Sequence, residues 1–377
     1  MRSSRPLAGL LGIASARRFD SLLSRSFSMT ILVSALIFST IPFEAGARAD
    51  VLRVSGIINR VSGGRIMQTI EDLQDFGSRA FYLNTSQDAA SYILEQFEEL
   101  NVSVAYQEFI VSTHSVRNVV ATMPGTSESS SQFLFGAHYD SENRDARNLS
   151  DGQRLSAPGA DDDASGVASV LELARILSGC RLKNTVKFVA FGAEEYGDDF
   201  SGGLEGSLAF VQSEKAAGAA YAGCWILDMI GYEGGYGNHT VVVVNGNSAV
   251  LGTRVRESVQ TYDIQLAVDV AIDPSITYSD HSRFWADGYP AALVIESSPS
   301  DNLYQFNPYY HSSNDTLDKL SEGQIVSVTK GLAATLLDMS SPVRGNETVI
   351  VLAGMAIAVM VATTIYIFIV RRRGRQT

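Results

Sequence analysis

The stretch that most constrains this chain is Ala157-Pro158-Gly159-Ala160-Asp161-Asp162-Asp163-Ala164-Ser165-Gly166. Three adjacent carboxylates repel one another and resist burial. Yet Val167, Val170, Leu171, Leu173, Ala174, Ile176 and Leu177 follow at once, with the spacing of a buried helix face. The aspartates therefore stand where a loop enters a helix, near its positive end. Capping and a solvated first turn would account for such a turn taken alone. The competing account is a cation held by one of the aspartates.

The surrounding sequence alternates strand and helix. Helical spacing runs through Ile66, Met67, Ile70, Leu73 and Phe76, and again through Ala90, Ile93, Leu94, Phe97 and Leu100, the second helix starting at Ser86. Residues 102–110 and 116–123 read as strands, and 124–131 as a polar turn. Strands are then expected at 132–137, 185–191, 224–227, 241–244 and 291–295, with helices at 164–177, 205–212, 248–262 and 321–339. Alternation of this kind implies a three-layer α/β/α sandwich around a mainly parallel mixed sheet.

Chemistry-bearing residues stand where those strands end. One strand ends on His138-Tyr139-Asp140, the next runs into Gly192-Ala193-Glu194-Glu195, and a third ends on Asp228. Functional groups converge at the carboxyl ends of parallel strands. Each residue alone has an ordinary explanation, but three strands and the aspartate loop delivering carboxylate and imidazole to one edge point to a metal site. Imidazole and carboxylate suit zinc, and a carboxylate can bridge two metals through its two oxygens. Asp140 can hold the other ring nitrogen of His138. Two metals need more anionic ligands than one, and such a set still leaves a glutamate to carry protons. Residue chemistry does not choose among Asp161, Asp162 and Asp163, nor between His281 and His311. His114 and His239 have no acidic companion motif.

Six motifs occur in order: His138-Tyr139-Asp140-Ser141; Pro158 to Gly166; Ala193-Glu194-Glu195; Leu227-Asp228-Met229; Ser279-Asp280-His281 with Gly288-Tyr289-Pro290-Ala291; and His311 to Thr316. Over about residues 60–340 the chain resembles the co-catalytic zinc exopeptidases, the family of bacterial leucyl aminopeptidase and plasma glutamate carboxypeptidase. The resemblance implies two zinc ions. His138, Asp162 and Asp228 would hold one, and Asp162, Glu195 and His311 the other, with Glu194 as general base and Asp140 supporting His138. Asp162 is singled out because the family's ligand stands four residues before the last glycine of its motif, here Gly166. Bacterial leucyl aminopeptidases carry a disulfide loop before Ser-Asp-His, whereas residues 272–278 hold no cysteine. That loop shapes the substrate pocket, so side-chain preference is not carried over.

The ends of the chain suggest a membrane setting. Residues 1–49 hold basic residues, an apolar run from Met29 to Phe43, and the small-residue patterns Ala45-Gly46-Ala47 and Ala47-Arg48-Ala49, as in a signal peptide or an uncleaved anchor. Residues 50–340 would form the catalytic domain and 341–348 a linker. Residues 349–370 carry no charge, and as a helix would span about 33 Å, enough to cross a bilayer. The four arginines within 371–377 then mark a cytosolic tail, with the domain extracellular or lumenal. Six sequons, at Asn84, Asn101, Asn148, Asn238, Asn314 and Asn346, permit glycosylation there. Cys180 and Cys224 are consistent with one disulfide or with two separate thiols. Residues 50–370 hold 19 basic against 39 acidic residues, a balance that repels nucleic acid. The expected activity is a membrane-anchored aminopeptidase acting on peptides. A carboxypeptidase or dipeptidase of the same family is the runner-up, followed by a glutaminyl cyclase and a non-catalytic receptor-like relative.

Overall fold

The apolar runs at 133–137, 186–191 and 224–227 become the centre of a mixed sheet in the computed structural model, which describes residues 50–127, 131–143, 156–195, 203–297 and 305–340. Its strands are β1 (Ser103–Val111), β2 (His114–Met123), β3 (Ser131–His138), β4 (Val186–Phe191), β5 (Ala220–Leu227), β6 (His239–Val244), β7 (Ala267–Ile272) and β8 (Ala291–Ile295). They lie in the order β1-β2-β4-β3-β5-β8-β6-β7. The central four, β4, β3, β5 and β8, are mutually parallel. Antiparallel pairing joins β2 to β4 on one side and β6 to β8 on the other.

The helices are α1 (Gly63–Gln74), α2 (Asn84–Glu99), α3 (Gly166–Leu177), α4 (Glu205–Ala216), α5 (Ala249–Thr261), α6 (His281–Ala286) and α7 (Glu322–Met339), after a helical stretch over 50–58. Side chains alternate across a strand, so each strand feeds two clusters. On one face Phe133, Phe135, Phe188 and Trp225 stack with ring centroids 5.4–6.1 Å apart. They pack with Ile70 of α1, Phe97 of α2, Leu173 of α3, Val255 of α5 and Leu332 of α7. Leu134, Val189, Phe191 and Ile226 point the other way, to Phe210 of α4 and Phe284 of α6. Burying each such ring or branched chain stabilises the fold by about 1.5–3 kcal/mol before conformational entropy is counted.

Two elements depart from the sequence reading. Residues 267–272 pair with β6 as a half-exposed edge strand, and residues 281–286 form one short helix; each is too short or too mixed to show a period. The second helix begins at Asn84, two residues ahead of Ser86, which lies buried in its first turn. Cys180 and Cys224 are not joined in a disulfide.

The sheet and all the site residues belong to one compact unit, Val54–Arg344. The expected leader over 1–49, linker 341–348, membrane helix 349–370 and tail 371–377 lie outside the described residues. Among the described residues no helix is long and apolar enough to cross a membrane. What positions the site is the strand order: β4 adds to one side of β3 and β5 to the other, so a crevice opens at their carboxyl ends.

Candidate metal centre

His138, the last residue of β3, reaches into that crevice. Its Nε2 lies 3.1 Å from Asp162 Oδ1 and 3.9 Å from Asp228 Oδ1, just past the end of β5. Oδ2 of Asp162 lies 2.9 Å from His311 Nε2, and the same nitrogen is 2.8 Å from Glu195 Oε1. Asp162 thus turns one oxygen to each imidazole. The five expected ligands come together in this crevice, all buried.

Local backbone explains why only the middle aspartate is available. Asp161 accepts from the Gly231 N–H (2.8 Å) and from Asn307 Nδ2 (2.6 Å). Asp163 accepts from the N–H groups of His138, Gly166 and Met229 at 3.0–3.2 Å, the Gly166 bond falling on the first residue of α3, whose N-cap is Ser165. The outer carboxylates therefore hold the loop. Gly159 lies at φ +52°, and a Cβ there would come within 2.3 Å of the Asp162 carbonyl oxygen. Ala193, Met229 and His311 also have φ near +55°, an uncommon conformation for residues with a Cβ. Each is, or directly adjoins, a residue of the site, where backbone strain tends to gather.

His311 and His281 separate on contact geometry. The Tyr310 ring stacks on His311 with centroids 3.5 Å apart, and His311 faces Asp162 and Glu195. His281 instead turns Nε2 to the Ile276 carbonyl (2.9 Å) and packs edge-on against Trp285, outside the cluster. Burial pushes His281 down to about 4, so it stays neutral. His114 is exposed near Phe81 and Tyr82, and His239 is buried at the start of β6 with Nδ1 2.7 Å from the Gly237 carbonyl oxygen.

Asp140 stands beside His138, and its carboxylate also holds the turn of the two glutamates. Its carboxylate accepts from the N–H groups of Glu194 (3.0 Å) and Glu195 (3.1 Å). Nδ1 of His138 lies nearer the Asp140 carbonyl oxygen (3.2 Å) than its carboxylate (3.5 Å). The turn carrying both glutamates is therefore anchored to the strand carrying His138.

The charges in this crevice are unbalanced without a cation. Burial pushes Glu195 up to about 8 and Glu194 well above the carboxylate range, with neighbouring carboxylates adding to both. Burial also opposes ionisation of Asp162, yet the imidazoles of His138 and His311 hold it well below its usual value. Burial alone would lower His311, but Glu195 and Asp162 carry it to about 10. His138, Asp162 and Asp228 can bring one ligand atom each within 4.8 Å of one another, as can Glu142, Glu195 and His311. Oδ2 of Asp162 is buried without a hydrogen bond of good geometry, as a metal-directed oxygen would be. The donor set fits a divalent cation with a preference for nitrogen and oxygen.

A cavity of about 330 Å³ opens over the cluster, lined by Glu194 and by Leu204, Met229, Ile295, Phe306 and Tyr310 beside the ligands. Residues 118–336 match the model of Peptidase family M28. The chain belongs to peptidase family M28. It is therefore a metallopeptidase, and the resemblance to co-catalytic zinc exopeptidases is borne out. A "Probable leucine aminopeptidase" of Trichophyton verrucosum is 28% identical over 277 residues, which cover 71% of this chain and 70% of that one. LapA aminopeptidase of Legionella pneumophila shares the fold with a TM-score of 0.65 at 23% identity, over 77% of this chain and 75% of LapA. BSAP, a zinc aminopeptidase from Bacillus subtilis, gives 0.62 at 16% identity, over 74% and 96%. A glutaminyl cyclase of Porphyromonas gingivalis gives 0.60 at 21% identity, over 74% and 99%, so the fold alone does not set the reaction.

This M28 peptidase also uses residues that sequence reasoning passed over. The buried Arg79 donates to the carbonyls of Tyr139 (2.7 Å), Leu73 (3.1 Å), Pro158 (2.5 Å) and Gly159 (2.9 Å), tying the aspartate loop to β3 and α1. Asp315 accepts from the N–H groups of Asp161 and Asp162 at 3.1–3.2 Å. Asp315 stood inside the His311 motif and could have been found there. Arg79 gave no signal, because its partners are main-chain carbonyls distant in sequence.

Proposed function

We propose that this M28 peptidase is a zinc-dependent aminopeptidase with two metal ions, anchored to a membrane through residues 349–370. The observation that carries the reading is Asp162, whose two oxygens face His138 and His311 separately, with Asp228 and Glu195 flanking. His138, Asp162 and Asp228 would hold one zinc, and Asp162, Glu195 and His311 the other. Zinc in such a site supplies Lewis acidity and lowers the pKa of a bound water to about 7. Glu194, lining the cavity beside His138, takes the proton from the attacking water and returns it to the leaving amine. Burial raises its proton affinity above that of an ordinary carboxylate, the direction a general base needs. The apolar wall of Leu204, Met229, Ile295 and Phe306 receives an apolar side chain and excludes water from the cleft.

The name of the Trichophyton relative supports aminopeptidase over carboxypeptidase action. The domain, 50–340, takes the α/β/α three-layer form and lies outside the cytosol, with 371–377 inside. The test is turnover of free-amino, amino-blocked and carboxyl-blocked peptides by the full chain, alongside zinc analysis. Cleavage of free-amino and carboxyl-blocked peptides, with about two zinc ions per chain, is expected; cleavage of amino-blocked peptides alone would overturn the aminopeptidase reading. A tag after Thr377 should resist external protease in sealed vesicles, and its digestion would reverse the orientation.

A further inference from the structure

We propose that Glu142 is a positioning residue for His311, fixing its ring so that Nε2 faces the metal and raising the affinity of that one zinc site. The inference rests on the two-zinc reading above and concerns a residue outside the expected ligand set.

Glu142 follows the His138 motif by one residue, and its Oε1 lies 3.3 Å from His311 Nδ1. That nitrogen is buried and has no well-aligned hydrogen bond of its own, so the carboxylate is the acceptor within reach. On the far side of the ring, Nε2 lies 2.8 and 2.9 Å from oxygens of Glu195 and Asp162. A neutral imidazole carries one N–H and one lone pair. With the N–H committed to Glu142, the lone pair is left on Nε2, toward the two carboxylates that would share the metal. The stacked Tyr310 ring restricts tilting, so the choice left to the imidazole is which nitrogen keeps the proton. Glu142 settles that choice.

The other imidazole is held differently. Nδ1 of His138 lies 3.2 Å from the Asp140 main-chain carbonyl and 3.5 Å from the Asp140 carboxylate, whose two oxygens already accept from the N–H groups of Glu194 and Glu195. An anionic partner makes a ligating imidazole more basic, and removing such a support typically weakens metal binding about 10–100-fold. The two sites should therefore differ in what holds them, and the His311 site alone should depend on position 142. Glu142 is only partly buried, so replacing it does not open the core.

The test is zinc affinity by chelator competition on the full-length chain, comparing wild type, Glu142→Ala and Glu142→Gln. Glu142→Ala should lose about ten-fold or more in affinity for one of two zinc equivalents, leaving the other unchanged. Glu142→Gln, which keeps an acceptor without charge, should fall between. At saturating zinc kcat should recover toward wild type, and the metal-free variants should unfold at the same denaturant concentration as wild type. Equal zinc affinity in all three proteins would overturn the role of Glu142 and leave the two-zinc reading standing. A wild-type chain that binds no zinc at all would overturn both.

Discussion

Asp140 holds the two glutamates of the site by their backbone, its two carboxylate oxygens accepting from the N–H groups of Glu194 and Glu195 at 3.0 and 3.1 Å. One buried side chain thereby links the end of β3 to the turn after β4. Replacing it by alanine leaves two buried N–H groups unpaired, each costing about 1–3 kcal/mol. Asp140→Ala should therefore unfold at clearly lower urea and lose zinc, because Glu195 drifts from His311. Asp140→Asn retains one acceptor and should lose less. Unchanged urea midpoints in both variants would refute this anchoring role.

Asp162 and Asp163 are neighbours with separable jobs. Asp162→Asn removes a charge facing both imidazoles and should deplete both zinc ions and abolish turnover. Asp163→Asn keeps an acceptor for the loop N–H groups, but its amide also places a donor where His138, Gly166 and Met229 already donate. Its first effect should be on stability, by about 1–3 kcal/mol, with zinc content following only as the loop loosens. Zinc analysis and urea unfolding on the same preparations check the order. If both variants lose zinc equally at full stability, the division is wrong.

Glu194→Gln separates chemistry from binding. Glu194 lines the cavity, while Glu195 sits 2.8 Å from His311. Turnover should fall by about 10²–10⁴, the usual contribution of a general base, with zinc occupancy nearly intact. Glu195→Gln should lower zinc content first. Full turnover by Glu194→Gln would remove it as the base.

Much of this was legible in the sequence because short-range pattern and local chemistry agree. The runs at 133–137 and 186–191 are strands for the reason their apolar continuity suggests, and the carboxyl-end rule brings His138, Glu195 and Asp228 together. What stayed hidden depends on distant contacts. Asp161, Asp162 and Asp163 are chemically alike, and the N–H groups arriving from Gly231, Met229 and His138, with the amide of Asn307, divide their labour. His281 carries an acidic neighbour as persuasive as any near His311, yet the fold turns it onto Trp285.

Arg79 is the clearest case of a hidden residue with a measurable role. Its planar guanidinium reaches four carbonyls at once, which an ammonium point charge does not match. Burial lowers its pKa to about 10, so it remains charged at neutral pH among Asp315, Asp140, Asp162 and Asp163. Arg79→Met should cost about 3–5 kcal/mol, as for other buried charges removed from their partners, and Arg79→Lys should recover only part. Calorimetry of the variants checks this; a wild-type Tm for Arg79→Lys would mean charge alone suffices.

The stabilisation that zinc gives should grow as pH rises. In the metal-free chain Glu195 is raised to about 8, chiefly by burial, and burial also raises Glu194 well above the carboxylate range. A carboxyl so raised keeps a proton in the folded state that the unfolded chain releases above about pH 4.3. Folded stability therefore falls as pH climbs from there toward 8. His311 works in the same direction: its raised value of about 10 gives stability that is complete below about pH 6.5 and lost as pH rises through 10. The lowered Asp162 contributes fully above about pH 4 and is flat through this range. Zinc needs these same groups deprotonated, so its binding strengthens as protons leave. The rise in Tm on adding zinc should thus be larger at about pH 8 than at about pH 5.5, while the metal-free protein should melt lower at the higher pH. Thermal melts of the full chain at both pH values, with and without zinc, give the four numbers needed. An equal zinc-induced shift at the two pH values would mean that the carboxylates and imidazoles of this crevice do not exchange protons for metal.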